Sequence, residues 1–141
     1  MSTARTIDQT YVKTGQVKVV SKNLPVHGEQ AVTLATAALC ASDQNKFWEF
    51  HDSLMEGFYL GRLDPPDLTN LGRRAADLGL DTMAFTSCLA EGKYLSRVEA
   101  EAAEGEQLGV TGTPTFFVNN TRLVGALPFT AFKTAIDNAL K

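Results

Sequence analysis

The chain has 141 residues, 44% of them hydrophobic and 21% charged, which is typical of one globular domain with a core of its own. Its formal net charge of −3 and the lack of a basic stripe exclude a nucleic-acid-binding role, because neutralising phosphates takes clustered lysines and arginines. No apolar run approaches the ~20 residues that a bilayer-spanning helix needs, so we expect no membrane span.

The first part of the chain predicts a strand, which the apolar residues Ile7, Tyr11 and Val12 precede. Residues 16–20, Gln-Val-Lys-Val-Val, alternate in polarity and are rich in β-branched side chains, which is typical of a strand. Pro25 marks where this strand has ended.

Five helices are predicted in the middle of the chain. The first is rich in Ala and Leu, with Leu34, Ala38 and Ala41 at helical spacing. Pro65 and Pro66 break the pattern after the second helix, since proline cannot continue it. The predicted helices cover residues 29–42, 45–58, 68–78, a short stretch that Asp81 caps and Gly92 ends, and 94–108.

The last part of the chain predicts a β-hairpin closed by a helix. Residues 112–118, Gly-Thr-Pro-Thr-Phe-Phe-Val, place a Thr-Pro step at the start of a short apolar strand, where the missing N–H of proline costs no ladder bond. The Asn119-Asn120 pair forms a two-residue turn to a second strand at residues 121–125. Pro128 then opens the final helix.

Four stretches of the chain resemble the thioredoxin fold of the DsbA-like thiol-disulfide oxidoreductases. Leu108–Asn119, which contains the Thr-Pro step, is similar to the cis-proline loop and strand of that family. The stretches 39–41, 46–52 and 84–94 are similar to the helices of its insertion. The resemblance therefore extends over most of the chain.

The fold that this resemblance implies is α/β and thioredoxin-like, one domain over residues 1–141 with an α-helical insertion at about 29–108. Family members carry a first strand and then a helix that begins with Cys-x-x-Cys. This chain has no Cys-x-x-Cys, and residues 1–14 match only the end of that helix. We therefore expect an incomplete version of the fold, to which the catalytic dithiol of the family is not carried over.

The unmatched strand would affect the whole predicted sheet. In the family's topology it lies between the strands predicted here at 16–20 and 115–118. Without it each strand lacks about four or five ladder bonds, and each buried group left unsatisfied costs about 1–3 kcal/mol. The two strands could close on each other, a second chain could complete the sheet, or the chain is part of a longer protein. Because an open strand edge is a template for pairing, we expect a homodimer through that edge.

The chain contains two cysteines, Cys40 and Cys88, on different predicted helices. The resemblance places both in the helical insertion and implies a structural disulfide, since some family members have cysteines at these places. Two buried free thiols and a redox-active pair are the alternatives. A redox-active pair is disfavoured because Cys40 lies late in its helix and Cys88 has Glu91 nearby, so neither thiolate would be stabilised.

Thr113 and Pro114 are the candidate binding residues. In the thioredoxin fold the residue before the cis-proline presents its backbone N–H and C=O to an extended peptide, which binds by strand addition. The resemblance therefore implies that an extended peptide or protein binds at Thr113. The alternative is that Pro114 only shapes the hairpin.

The other polar and aromatic residues predict structural roles. His27 and His51 lack the spacing of a metal site, and we expect neither a metal nor another cofactor. His51 is expected at the boundary of the core, and Trp48 is expected to pack between helices. The acidic residues expected on solvated faces are Asp64, Asp67, Glu99, Glu101 and Glu104.

Two functions remain open from the sequence. In the first, the chain is a non-catalytic module that binds a peptide or protein. In the second, it is a portion of a disulfide oxidoreductase whose Cys-x-x-Cys segment lies outside this chain, so the sequence leaves open whether the protein is an enzyme. The visible N-terminus lacks the apolar core of a signal peptide, which favours the cytoplasm, whereas the resemblance favours a location outside it.

Overall fold

The computed structural model describes residues 2–141; Met1 and the side chain of Ser2 lie outside the description. In chain order the elements are α1 (Ser2–Ile7), α2 (Glu29–Ser42), α3 (Phe47–Tyr59), α4 (Leu68–Asp77), α5 (Thr82–Ala90), α6 (Leu95–Gln107), β1 (Thr115–Val118), β2 (Thr121–Val124) and α7 (Phe129–Ala139). A π-helical segment, Asp8–Val12, continues α1 directly.

These elements belong to two compact units. Residues up to Lys22 and Gly105–Lys141 form the first, which we call the sheet unit. Asn23–Glu104 form the second, which we call the helical unit. The single domain over residues 1–141 and its helical insertion at about 29–108 both stay predictions.

The core of the sheet unit joins the N-terminal helical segment to α7. Tyr11, Phe132 and Ile136 are buried in it. The hydroxyl of Tyr11 donates a hydrogen bond to Oδ1 of Asp137 at 2.6 Å. The two ends of the chain are therefore joined by a hydrogen bond as well as by apolar contact.

β1 and β2 form the antiparallel hairpin that the sequence predicts. Val118 lies opposite Thr121, and Asn119 adopts the left-handed conformation in the turn, with φ of 49°. Asparagine tolerates this region of backbone space better than most residues. On one face of the hairpin, Phe116 meets Phe132 of α7 edge to face with 4.8 Å between the ring centroids. The hairpin, its Asn-Asn turn and the closing helix are thus confirmed.

The core of the helical unit is centred on two aromatic rings. Phe50 of α3 and Phe85 of α5 are completely buried, with their ring centroids 5.2 Å apart. Alanines on the neighbouring helices, Ala41 and Ala75 among them, are also completely buried, and their small side chains allow the helices to approach. This unit therefore has a core of its own.

Two aspartates begin helices in the helical unit. Asp67 accepts a hydrogen bond from the backbone N–H of Asn70 at 2.8 Å, and Asp81 accepts one from Ala84 at 3.0 Å. Each carboxylate satisfies a donor that has no partner within the helix. The cap at Asp81 is confirmed, and Asp67, expected only on a solvated face, is the cap of α4.

The predicted strand at residues 16–20 is wrong. The structure assigns neither helix nor strand to residues 17–28. The N–H groups of Gln16 and Val17 bond instead to the carbonyl of Tyr11, at 2.9 and 3.1 Å, and Val19 and Val20 are 47% and 62% exposed. Within residues 2–141 the sheet contains β1 and β2 alone. A β-branched segment without a neighbouring strand gains no ladder bonds, so its propensity does not make it a strand.

The predicted helices are confirmed with small shifts at their ends. The first, 29–42, has the bounds that the sequence predicts, and the others differ by one or two residues, as the fraying of helix ends leads us to expect. None of the helices between residues 2 and 141 combines the length and the apolar character that crossing a membrane requires.

Candidate functional site

The loop between α6 and β1 carries the two predicted binding residues. Thr113 and Pro114 are both exposed, and the peptide bond between them is cis. Among the residues that the structure describes, none forms a hydrogen bond with the backbone N–H or C=O of Thr113. An exposed residue next to a strand thus offers one free donor and one free acceptor.

The C-terminal end of this loop is fixed by two hydrogen bonds. The carbonyl of Pro114 accepts a bond from the N–H of Gly125 at 2.8 Å, which extends the β1–β2 ladder by one step. The hydroxyl of Thr115 donates to the carbonyl of Gly112 at 2.8 Å. Thr113 therefore lies between residues that are held in place, while its own backbone groups are not used.

β1 has one paired edge and one open edge. The bond between Gly125 and Pro114 sets the alternation of the antiparallel ladder, so Phe116 and Val118 also direct their backbone groups toward β2. Thr115 and Phe117 consequently direct theirs away from β2, toward an edge that no strand covers within residues 2–141. This open edge begins two residues after Thr113.

The two cysteines are bonded to each other inside the helical unit. The Sγ atoms of Cys40 and Cys88 are 2.04 Å apart, and the bond joins α2 to α5. Cys40 is 1% exposed and Cys88 is 8% exposed, so an attacking thiolate in solution has little access to either sulfur. Neither cysteine is a free thiol, and the arrangement favours a structural bond over a redox-active one.

Both histidines lie in the helical unit. The ring of His51 stacks on that of Phe47 and meets that of Trp48 edge to face, with centroid distances of 5.8 and 5.5 Å, and its Nδ1 is 3.0 Å from a carboxylate oxygen of the exposed Asp52. His27 is exposed in the segment directly before α2. Trp48 packs less completely than expected, since 45% of it is exposed.

Glu101 was expected on a solvated face, and the structure corrects this. Its carboxylate is buried and accepts hydrogen bonds from the backbone N–H of Asn23 at 2.8 Å, from the side-chain amide of Asn23 at 2.7 Å and from Nε of Arg97 at 3.0 Å. Burial acts to raise the pKa of Glu101, but these three donors outweigh it and hold the pKa below its usual value. The spacing from Arg97 to Glu101 is a helical i,i+4 pair, which is the signal that the sequence offered.

The sequence analysis also did not predict a second charged cluster, which lies in the sheet unit. Asp137 accepts hydrogen bonds from Lys133 and from Tyr11, and these two donors lower its pKa. The same carboxylate raises the pKa of the Tyr11 hydroxyl, mainly through the hydrogen bond between them. Lys133 and Asp137 are an i,i+4 pair, but only the fold brings Tyr11 to them.

Arg122 is the residue near the candidate site that sequence reasoning missed. It lies on β2, directly opposite Phe117, and its guanidinium reaches the carbonyls of Leu108 and Gly109 at the start of the loop. The hairpin register predicts that Arg122 lies opposite Phe117. It does not predict that the residues after α6 come within hydrogen-bonding distance of the guanidinium.

Comparison with known proteins gives a family match and matches to solved structures. A family model described as Thioredoxin matches residues 2–138. The crystal structure of oxidised BdbD from Bacillus subtilis superposes on this chain with a TM-score of 0.81 at 22% identity, over 96% of this chain and 75% of that one. A thioredoxin-like oxidoreductase from Silicibacter pomeroyi gives a TM-score of 0.77 at 28% identity, over 96% and 76%. The predicted α/β, thioredoxin-like fold is therefore confirmed.

Similar sequences occur in proteins of very different length. The Na(+)/H(+) antiporter NhaA 1 of Salinispora arenicola is 39% identical over 127 residues, which is 87% of this chain but 18% of that protein. Disulfide bond formation protein D of Bacillus subtilis is 24% identical over 140 residues, 96% of this chain and 62% of that protein. The chain thus spans under a fifth of the first relative and somewhat under two thirds of the second.

Proposed function

Because the chain belongs to the thioredoxin family and has a DsbA-like fold, we propose that it binds extended polypeptide segments through the backbone of Thr113. One observation carries the proposal. Thr113 is exposed, adjoins a strand, and leaves both its N–H and its C=O without a partner among the described residues. An extended segment that passes this residue can satisfy both groups at once, as in strand addition.

The sulfur chemistry of the chain favours binding over catalysis. A thiol-disulfide exchange step needs an accessible thiolate or an accessible disulfide. The two cysteines of this chain are bonded to each other and lie in the interior of the helical unit. Within residues 2–141 this burial supports a binding role over a nucleophilic one.

A direct test measures binding at the Thr113 amide. The probe is reduced, carboxymethylated ribonuclease, an unfolded polypeptide without free thiols, labelled for fluorescence anisotropy. We expect saturable binding together with slower hydrogen exchange at the amide of Thr113. Thr113→Pro removes the donor and should abolish binding, whereas Thr113→Val keeps the backbone groups and should retain it. Binding that leaves the exchange of this amide unchanged would contradict the proposal.

We also propose that two copies of the chain pair through the open edge of β1. Thr115 and Phe117 direct their backbone groups to this edge, which no strand within residues 2–141 covers, and Phe116 and Phe117 are 40% and 42% exposed. An uncovered strand with exposed aromatic side chains is prone to pair with another strand.

A second candidate function is that the chain forms part of a disulfide oxidoreductase. The similarity to disulfide bond formation protein D over 96% of this chain favours it. In this case an accessible Cys-x-x-Cys would come from a segment outside the 141 residues. An insulin-reduction assay with the natural upstream segment attached separates the two candidates, since turnover above that of the 141 residues alone would favour an enzyme. An in-frame Cys-x-x-Cys encoded upstream would also favour the disulfide oxidoreductase.

The antiporter matches support a modular role for the domain. Three antiporters of the NhaA type match 78–87% of this chain with 17–18% of their own length. We infer that a domain of this kind also works when it is attached to a much longer protein.

A further inference from the structure

Arg122 contacts both the start of the candidate binding loop and the strand that follows the loop. Its side chain starts from β2, in register with Phe117 of β1, and Cζ lies 5.2 Å from the centroid of the Phe117 ring. A guanidinium over an aromatic face is a favourable arrangement that also restricts the side chain. The guanidinium is therefore held on this face of the hairpin before it makes any further contact.

The further contacts are to the two residues that directly follow α6. Nη1 donates to the carbonyl of Gly109 at 3.2 Å, and Nη2 donates to the carbonyl of Leu108. The last carbonyls of a helix lack partners within it and carry partial negative charge, so a cation with several donors suits them. The fork of Arg122 thus attaches the point where α6 ends to the middle of β2.

Gly109 shows why the chain turns at this point. It has φ of +72°, a left-handed conformation that favours glycine, and its N–H bonds to the carbonyl of Glu106 at 2.9 Å. The N–H of Val110 bonds to the carbonyl of Gly105 at 2.9 Å. The helix therefore ends with hydrogen bonds to the carbonyls of Gly105 and Glu106, while Arg122 binds the carbonyls of Leu108 and Gly109 just beyond it.

One end of the loop is consequently attached to β2, and the other end is attached to the residue that directly follows β2. Arg122 holds its start at residues 108 and 109, and Gly125 holds its end through the carbonyl of Pro114. Thr113 lies in the span between these two attachments. A loop fixed at both ends has less freedom to lose when a peptide binds.

We propose that Arg122 is a positioning residue, which fixes the loop at residues 110–113 so that the backbone of Thr113 is ready to bind an extended segment. This inference rests on the proposed function for its consequence in binding, but the fixing of the loop can be measured in the free protein. Arg122 does not itself touch the bound segment in this proposal.

The test compares two substitutions at this position. Arg122→Met keeps a long stem over Phe117 but removes every donor, whereas Arg122→Lys keeps the positive charge and donors from a single nitrogen. In the free protein we expect faster hydrogen exchange at the bonded amides of Gly109 and Val110 in Arg122→Met, with the exchange of the β1–β2 ladder and the thermal unfolding temperature nearly unchanged. Arg122→Lys should restore part of the protection. Unchanged exchange at Gly109 and Val110 in Arg122→Met would overturn the inference.

Binding of the carboxymethylated ribonuclease probe supplies the second readout. We expect Arg122→Met to raise the Kd by about three- to tenfold, because the loop must then be ordered on binding, with a smaller effect for Arg122→Lys. An unchanged Kd in Arg122→Met would also overturn the inference. If the unsubstituted protein fails to bind the probe, the proposed function is contradicted, and the exchange experiment alone decides the role of Arg122.

Discussion

Glu101 is a charged side chain in the interior of the helical unit, and its partners explain how it is tolerated there. Burying an ionised carboxylate is costly unless donors replace the water that it loses. Asn23 supplies two donors and Arg97 supplies a third, all within 3.0 Å. The carboxylate therefore attaches the segment before α2 to α6, both within the helical unit.

The lowered pKa of Glu101 predicts how stability depends on pH. A carboxyl group whose pKa is lower in the folded state contributes its full stabilisation above its unfolded pKa and loses it as the pH falls through the folded pKa. We expect Glu101→Gln to lower the free energy of unfolding by about 1–3 kcal/mol above pH ~5, and by progressively less toward pH ~3. Urea unfolding at a series of pH values measures the difference.

Glu99 provides the matched control for this prediction. It lies on the same helix but is exposed, so Glu99→Gln should change the free energy of unfolding by less than about 0.5 kcal/mol. A Glu101→Gln effect that is no larger than that of Glu99→Gln, or that grows as the pH falls, would show that the contacts of Glu101 contribute little.

At the scale of elements, the disulfide joins two helices that are far apart in sequence. Cys40 on α2 and Cys88 on α5 are 48 residues apart in the chain, and their Cα atoms are separated by 5.9 Å. A covalent link across so long a loop restricts the unfolded chain, which is how disulfides are generally held to stabilise proteins. The bond belongs to the same buried cluster as Phe50 and Phe85.

Removing this link should lower stability without affecting the candidate site. We expect the Cys40→Ser, Cys88→Ser double variant to lose about 2–5 kcal/mol of unfolding free energy. The protein with its native cysteines should lose a similar amount in reductant, whereas the double variant should not respond to reductant. Thermal and urea unfolding with and without dithiothreitol measure both effects, and an identical unfolding curve in all four samples would exclude a stabilising bond.

At the scale of the whole molecule, the open edge of β1 determines the expected oligomeric state. A two-stranded hairpin is marginal by itself, and β1 offers an uncovered row of donors and acceptors. Pairing through Thr115 and Phe117 would give each copy a longer sheet. We therefore expect a dimer in sedimentation velocity experiments, and a tight monomer at micromolar concentration would contradict the proposal.

Phe117 allows the strand-edge contact to be tested with a matched pair of variants. Phe117→Pro removes the N–H that points to the open edge but takes no bond from the β1–β2 ladder, since Phe117 and Arg122 are a non-hydrogen-bonded pair. Phe117→Ala removes the same aromatic contacts and keeps the N–H. We expect the proline variant to be monomeric and the alanine variant to remain dimeric. Two variants with equal dimer dissociation constants would indicate that the dimer does not use this edge.

Much of the fold could be predicted from local signals. The cap at Asp81, the Ala-rich helix at 29–42 and the Asn-Asn turn each depend on residues that are close together in the chain. The Thr-Pro step likewise located the exposed loop from seven consecutive residues. For each of these features the partners lie within a few positions, so a short stretch of sequence contains all the interacting groups.

The sequence by itself determined the helices and the hairpin, because periodicity, caps and turn residues act over short distances, whereas the family came from the resemblance of its motifs. Only the tertiary structure decided that residues 16–20 form no strand, that Glu101 is buried, and that Arg122 reaches the end of α6. Each of these outcomes depends on a partner far away in the chain, or on the lack of one among the described residues. A strand needs a neighbour, a buried charge needs donors and an arginine needs acceptors, and only the folded chain brings these groups together.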